Sequence, residues 1–381
     1  MERAEALRGE LALARRETDG LFQLISAEAL YSRPVSERHR LIFYLGHLDA
    51  FDWNLLARRG LGAASFHPSF DALFERGIDP APGEAPGDQA SDWPSQSEIE
   101  RYNFRTRAWI DSHLSGMESS TVEMAIEHRL MHAETFAYLM HNLPYGEKRG
   151  GSLPEVSGRP APANPMVQVE GGVAKLGQPS DGFGWDNERL AHDVPVNAFG
   201  ISKYKISNGE YREYVRAGGA VPQFWVNDGG RWFYRGMFGL VPLPLDHPVW
   251  VTWRQADGFA KWRGLELPSE AEYCLAASRW GRPDALRDNF GSCRWDPVSV
   301  DAGAGFVGNG WEWTGDLFAP FAGFQAHPDY PGYSADFFDG AHYVMKGASP
   351  RTAERMTRLS FRNWFRPEYP HMYAGFRVVG A

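Results

Sequence analysis

The feature that most constrains this chain is a change in periodicity near residue 145. Upstream of it, apolar residues recur at helical spacing; downstream, short apolar runs are broken by Gly, Pro, Asn and Asp. The length of 381 residues is about two and a half times the usual ~150 per domain, so two domains are expected. The stretch PYGEKRGGSLPEVSGRPAPANP, residues 144–165, is rich in Pro and Gly with little to bury and reads as the linker. This divides the chain into 1–143, a linker at 144–165, and 166–381.

Four helices are legible in the first part. One runs from about Glu2 to Leu30, carrying Leu7, Leu11, Leu21 and Leu24. A second follows Pro34, with Ser36 as its N-cap and Leu41, Tyr44, Leu48, Phe51 and Leu55 at helical spacing. The third covers about Ser97 to Leu114, with Ile99, Tyr102, Trp109 and Ile110. The fourth begins at Ser120, where Glu123 completes a capping-box pattern, and ends near Asn142, just before Pro144. These four helices predict a bundle, with a surface crossover through PAPGEAPGDQASDWP, residues 80–94.

In residues 166–381, short helices are expected at Ile206–Val215, Arg254–Arg263 and Ser269–Ala277. Short strands are expected at Val167–Val169, Val249–Val251 and Tyr343–Met345. The fold class is therefore α followed by α+β: a helix bundle, then a compact mixed domain with much irregular loop.

Composition excludes several functions. Lys and Arg number 39 against 48 Asp and Glu, a net charge of −9, which lacks the basic stripe needed to bind nucleic acid. No apolar run approaches the ~18 residues of a membrane span. The charged start MERAEALRGELALARRE has no signal-peptide core. With two cysteines, Cys274 and Cys293, there is no disulfide framework or Cys-rich zinc site, and both read as buried small hydrophobes. A cytoplasmic location is expected.

The chemistry concentrates in histidines. On the fourth helix, His128 and His132 are four residues apart. Four residues turn a helix by about 400°, so both rings share one face about 6 Å apart along the axis. That face also carries Met124, Thr135 and Leu139, so it points inward. Two buried neutral imidazoles need partners, and one metal ion would satisfy both. An isolated His-x-x-x-His pair is more often a surface or core accident, and a third ligand changes the odds. His47 is that candidate, lying among Tyr44, Leu48 and Phe51 on the inward stripe of the second helix. Three imidazoles could cap one face of an octahedral iron, leaving three positions for substrates and dioxygen, or bind zinc with an open fourth position. The ligand set alone does not choose.

These segments resemble the EgtB-type non-haem iron synthases. FYLGHLDAF around His47 and HRLMHAE at 128–134 match that family's three-histidine iron site. FGWDNE at 183–188, ISNGEY at 206–211, LPSEAEY at 267–273, GNGWEWT at 308–314, SFRNW at 360–364 and AGFR at 374–377 match its C-terminal half. The resemblance implies a DinB-like four-helix bundle carrying the metal histidines, followed by a C-type-lectin-like domain of the formylglycine-generating-enzyme kind that completes the active site. It implies Fe(II) as cofactor, O2 as cosubstrate, and carbon–chalcogen bond formation on histidine or its trimethyl betaine, hercynine.

By the family's spacing, Tyr330 in YPGYSADFFDG takes the position of the catalytic tyrosine and Tyr333 that of a second tyrosine near the substrate. An unperturbed phenol, with a pKa of about 10, stays protonated and can donate a proton to a reacting oxygen. Asn363 and Trp364 match positions lining the betaine site, where an indole face attracts a quaternary ammonium.

Departures bear on the donor. Members that use γ-glutamylcysteine have Asp directly after the RNW motif and an Arg four residues later; here these are Phe365 and Tyr369. Met131 stands where that branch has Gln, and RGGSW becomes KGASP at 346–350. Arg366 remains as a carboxylate partner for cysteine. The more aromatic, less charged pocket points to a selenosugar donor, as in a selenoneine-synthase-like enzyme. The alternative is an ergothioneine sulfoxide synthase using cysteine or γ-glutamylcysteine. The paired catalytic cysteines of formylglycine-generating enzymes are absent, which argues against copper-dependent sulfatase activation. Two readings of other classes stand beside these: a DinB-like metal-dependent thiol transferase, and a lectin-like binding module whose histidines are structural.

Overall fold

Leu7, Leu11, Ala14, Thr18 and Leu21 bury one stripe of the first helix, α1 (Glu2–Phe22), which packs along the last helix of its unit. The computed structural model describes residues 2–75, 86–179 and 182–380, and the chain divides into two compact units, Met1–Gly151 and Ser152–Ala381. The first unit continues with α2 (Leu41–Asp52), the short α3 (Pro68–Leu73), α4 (Gln96–His113) and α5 (Ser119–His141). Residues 80–85 of the expected crossover lie outside the described residues.

Several helix ends differ from expectation. α1 stops at Phe22 rather than Leu30, because Ser26 donates its N–H to Glu147 O and accepts from Ala29 N–H, making a separate turn at Ala29–Tyr31. α2 starts at Leu41; the Ser36 hydroxyl binds Glu37 instead of capping a helix. The capping box at Ser120 does not form: the Ser120 hydroxyl donates to Glu118 and Glu123 pairs with Arg3. Beyond Asp52, α2 widens into a π-helical stretch, Trp53–Arg59.

α5 is buried on every side; only Ser119, Ser120 and Met131 escape the core. Its polar residues therefore need partners. Arg129 meets Asp49 at 3.1 Å and Asp52 at 2.7 Å, and Arg107 on α4 holds the other oxygen of Asp49 at 2.8 Å. Burial alone would raise the Asp49 carboxyl, but Arg129 and Arg107 hold it down at about 2. Removing one member of such a set would strand a buried charge.

In the second unit, β1 (Met166–Val169), β4 (Phe199–Ser202) and β12 (Val379–Gly380) form one antiparallel sheet, with β4 central. The main sheet has the order β10 (Asn363–Phe365), β9 (Tyr343–Ala348), β8 (Gly310–Leu317), β11 (Ala374–Gly375). A hairpin of β2 (Gly172–Leu176) with β3 (His192–Val196) and a meander of β5 (Trp225–Asp228), β6 (Arg231–Arg235) and β7 (Leu240–Pro242) complete the strands. The helices α6 (Asn208–Arg216), α7 (Trp253–Trp262) and α8 (Glu270–Arg279) each start from a capping box, set by Ser207, Thr252 and Ser269. Buried ion pairs pin the sheets: Lys205 and Arg377 to Glu312, and Lys346 and Arg362 to Glu270.

Two expectations need correction. Val249–Val251 is not a strand: Val249 N–H goes to Ile206 O and Val251 N–H to Ala374 O, different partners with no ladder. Cys274 is buried but Cys293 is exposed, in a turn where Gly291 and Ser292 take positive φ. The boundary between the units, Gly151 to Ser152, falls inside residues 144–165, whose two ends are bonded to their own units. Lys148 bridges Ile25 and binds His141 O, whereas Ser157 binds Asp246 and Asn164 binds Tyr204 and Glu210. No helix of the described residues is long and apolar enough to cross a membrane.

Candidate metal centre and tyrosine loop

The packing of α2 on α5 brings His47, His128 and His132 together, all buried, with one nitrogen from each within 4.8 Å of the others. The Nε2 atoms converge: His132 Nε2 lies 3.2 Å from that of His47 and 3.1 Å from that of His128. His47 Nδ1 is 2.6 Å from the Phe74 carbonyl oxygen and must donate to it, which leaves the His47 Nε2 lone pair bare. Within this trio, a single Nε2 proton on His132 could serve one neighbour but not both. A cation satisfies all three lone pairs at once, so the residues fit a metal ion.

Electrostatics agree with neutral ligands. Burial pushes the His47 imidazole down to about 4, with the Phe74 bond opposing and His39 and Arg129 adding to the fall. Burial holds His128 well below its ordinary value, reinforced by His132 and His47; burial and then His47 and Arg38 do the same for His132. Metal binding requires unprotonated imidazole, so no proton need leave near neutrality. Aromatic rings fix the ligand planes: Phe51 stacks on His128 with centroids 3.4 Å apart, and Phe43 on His47 at 4.8 Å. Gly46 leaves room for Phe74, since a Cβ there would lie 2.5 Å from the Phe74 ring. Met131, on the turn between the two α5 histidines, is half-buried.

The second unit groups the other expected residues. Trp185 stacks on Tyr333 at 3.9 Å and meets Tyr330 edge-on at 6.5 Å, and the two tyrosine rings are 5.6 Å apart. Tyr333 meets Trp364 edge-on at 5.3 Å, and one face of Trp364 is stacked on Phe318 at 4.3 Å. Phe365, the next residue of β10, stacks on Tyr369 at 5.0 Å. Asn363 is half-buried and its side-chain oxygen accepts from Trp364 N–H; Arg366 is exposed.

Residue reasoning missed the turn that holds this cluster. Asp186, Asn187 and Glu188 form a short 3-10 turn, fully buried. Asp186 accepts from the Ser334 hydroxyl and from His327 N–H at 3.3 Å; burial raises its carboxyl above the usual range, with these two bonds opposing. Glu188 accepts from Arg358 at 2.6 Å and from Ser360 at 2.7 Å. The motif FGWDNE was visible, but nothing local marks its partners.

The sulfatase-modifying factor enzyme 1-like domain family matches residues 152–290 and 303–381, more than half of the chain. Ergothioneine biosynthesis protein 1 of Schizosaccharomyces pombe is 28% identical, over 94% of this chain and 54% of that relative. The chain thus spans about half the length of that protein. Hercynine oxygenase of Mycolicibacterium smegmatis is 31% identical over 67% of this chain and 70% of its own length. That of Mycolicibacterium thermoresistibile is 33% identical over 67% of this chain and 68% of its own. With a triad of converging histidines in one unit and this domain in the other, the chain belongs to the EgtB-type family that includes the hercynine oxygenases.

Proposed function

We propose that this chain is an Fe(II)- and O2-dependent synthase that joins a chalcogen to C2 of the hercynine imidazole. The observation that carries the reading is the convergence of three buried Nε2 atoms in a relative of the hercynine oxygenases. With a thiol donor the reaction balances as thiol plus imidazole plus O2 to sulfoxide plus water. The S–H and C2–H bonds break and a C–S bond forms; one oxygen atom ends on sulfur and the other in water. Sulfur and C2 are oxidised, and dioxygen is reduced.

His47, His128 and His132 would hold the metal through Nε2. Bound ferrous iron would supply the electrons that activate dioxygen. Tyr330 is assigned as proton donor to a reacting oxygen, a task its neutral phenol suits. Trp364 and Asn363 are assigned to hercynine: the indole attracts the trimethylammonium group and the amide is a polar handle for orientation. Tyr333, wedged between Trp185 and Trp364, stiffens that wall.

For the donor we favour a selenosugar. Phe365 stacked on Tyr369 makes an aromatic wall where the γ-glutamylcysteine branch carries Asp and Arg. Sugars present apolar faces to such rings. A γ-glutamylcysteine donor would bind there without the Asp and Arg partners of its own branch, a loss of about 2–5 kcal/mol, or about thirtyfold or more in affinity. Exposed Arg366 gives cysteine a carboxylate partner and keeps a cysteine-using ergothioneine enzyme as the second reading.

The test is a competition. Iron-loaded protein under air receives hercynine with equimolar selenoglucose, thioglucose, cysteine and γ-glutamylcysteine, while oxygen uptake and product masses are followed. A sugar adduct should dominate. Dominance of the γ-glutamylcysteine adduct overturns the donor assignment, and absence of oxygen uptake with every donor overturns the synthase.

A further inference from the structure

The segment bearing Tyr330 belongs to no sheet or long helix; it is two consecutive tight turns. Tyr330 N–H donates to His327 O at 3.1 Å and Tyr333 N–H to Tyr330 O at 3.2 Å. Two isolated turn bonds hold a phenol less firmly than a helix or a strand ladder would. One carboxylate ties the segment's two ends together. Asp186 binds His327 at the start of the segment with one oxygen and Ser334 at its end with the other. Asn187 adds a second bond to the Ser334 hydroxyl at 2.9 Å, and Trp185 supplies the ring on which Tyr333 lies.

The same turn grips the segment that leads into the strand carrying Trp364. Glu188 binds Arg358 and Ser360, and the Asn187 carbonyl accepts from Arg362 at 3.3 Å. Arg362 is itself buried against Glu270, two residues before Trp364 in the chain. One three-residue turn thus fixes both segments assigned to the reaction. Its side chains are 4% exposed or less, so water does not compete for these bonds.

We propose that Asp186 is a positioning residue for Tyr330: by clasping His327 and Ser334 it sets where the phenol sits relative to Trp364. This rests on the reading of Tyr330 as proton donor. The roles divide cleanly, since Asp186 is buried behind the loop and acts only through it.

The experiment uses the iron-loaded full chain with hercynine and whichever of the four donors gives most product. It measures the ratio of coupled product to oxidised donor, and kcat and KM for hercynine. In Asp186→Asn one acceptor becomes an N–H donor, so the bond donated by Ser334 is lost as it stands and can re-form only reversed and without the carboxylate's charge, which loosens the clasp. The ratio should fall at least about threefold with kcat, while KM and iron content stay within about twofold. Ser334→Ala, a milder change that guards against misfolding, should lower it in the same direction and speed amide exchange across 327–334. Tyr330→Phe should lower the ratio by itself, and adding Asp186→Asn to it should do nothing more. A ratio unchanged in both Asp186→Asn and Ser334→Ala while Tyr330→Phe lowers it overturns the positioning role and leaves Tyr330 standing. Full additivity in the double variant overturns it too, since Asp186 would then act elsewhere. An unchanged ratio in Tyr330→Phe removes the reading on which the inference rests, and the inference with it.

Discussion

The histidine triad and the tyrosine loop are held in place by different means. Each histidine of the triad sits in the middle of a helix, where backbone hydrogen bonds fix the Cα positions and ring stacking holds His47 and His128. Tyr330 sits in turns that borrow their shape from side chains far away in sequence. A helix-borne site tolerates change in its surroundings, because the backbone of each of its residues is held locally. A clasped loop depends on a few long-range bonds. The metal centre should therefore fail only when a ligand or its immediate support is removed, whereas the second unit should be tunable by substitutions that leave the fold intact.

The hardest test of that contrast is His128→Ala. One of three ligands is lost, so bound iron should fall below about a tenth of wild type and activity by more than about a hundredfold, with helicity unchanged. Elemental analysis and circular dichroism check it; full iron in this variant would end the metal assignment. Acid provides a second route. The folded His47 titrates at about 4 against an ordinary 6.5, so the unfolded chain binds the extra proton between those values. Stability of the metal-free protein is then complete above about pH 6.5 and declines as pH falls towards 4, by up to about 1.4 kcal/mol per pH unit for each such histidine. Urea midpoints with a chelator present should show the decline, and a flat profile would mean that the histidines are not buried neutral.

A smaller effect is expected from Gly46→Ala. The new methyl displaces the Phe74 ring, and with it the carbonyl that orients His47, while both ligand histidines of α5 stay in place. Overpacking should cost about 1–3 kcal/mol and the lost orientation about tenfold in metal affinity. Calorimetry and metal titration separate the two costs; unaltered affinity would show that the Phe74 carbonyl is not needed. The mildest change is predicted for the double variant Phe365→Asp with Tyr369→Arg. It should raise the share of γ-glutamylcysteine product by about tenfold without altering iron content, because it restores a charged pair to that pocket. No change in product share would locate donor choice elsewhere.

Periodicity and spacing determined most of the helices of the first unit and which faces carry its histidines. His128 and His132 share a face because a helix repeats every 3.6 residues, and His47 falls on an inward stripe for the same reason. The caps of α6, α7 and α8 are equally local and can be seen in S-x-x-E and T-x-x-Q patterns. Local signals misled where a distant partner outbid them: Glu123 answers Arg3 rather than Ser120, and the extended Val249–Val251 bonds to two separate segments instead of a neighbouring strand. Tertiary structure alone decided that three Nε2 atoms converge, that the Phe74 carbonyl sets the His47 tautomer, and that Asp186 meets Ser334 148 residues later. No pattern along the chain marks such pairs. Their formation depends on which surfaces come together when the core closes, and burial then makes the paired arrangement far cheaper than leaving either group alone.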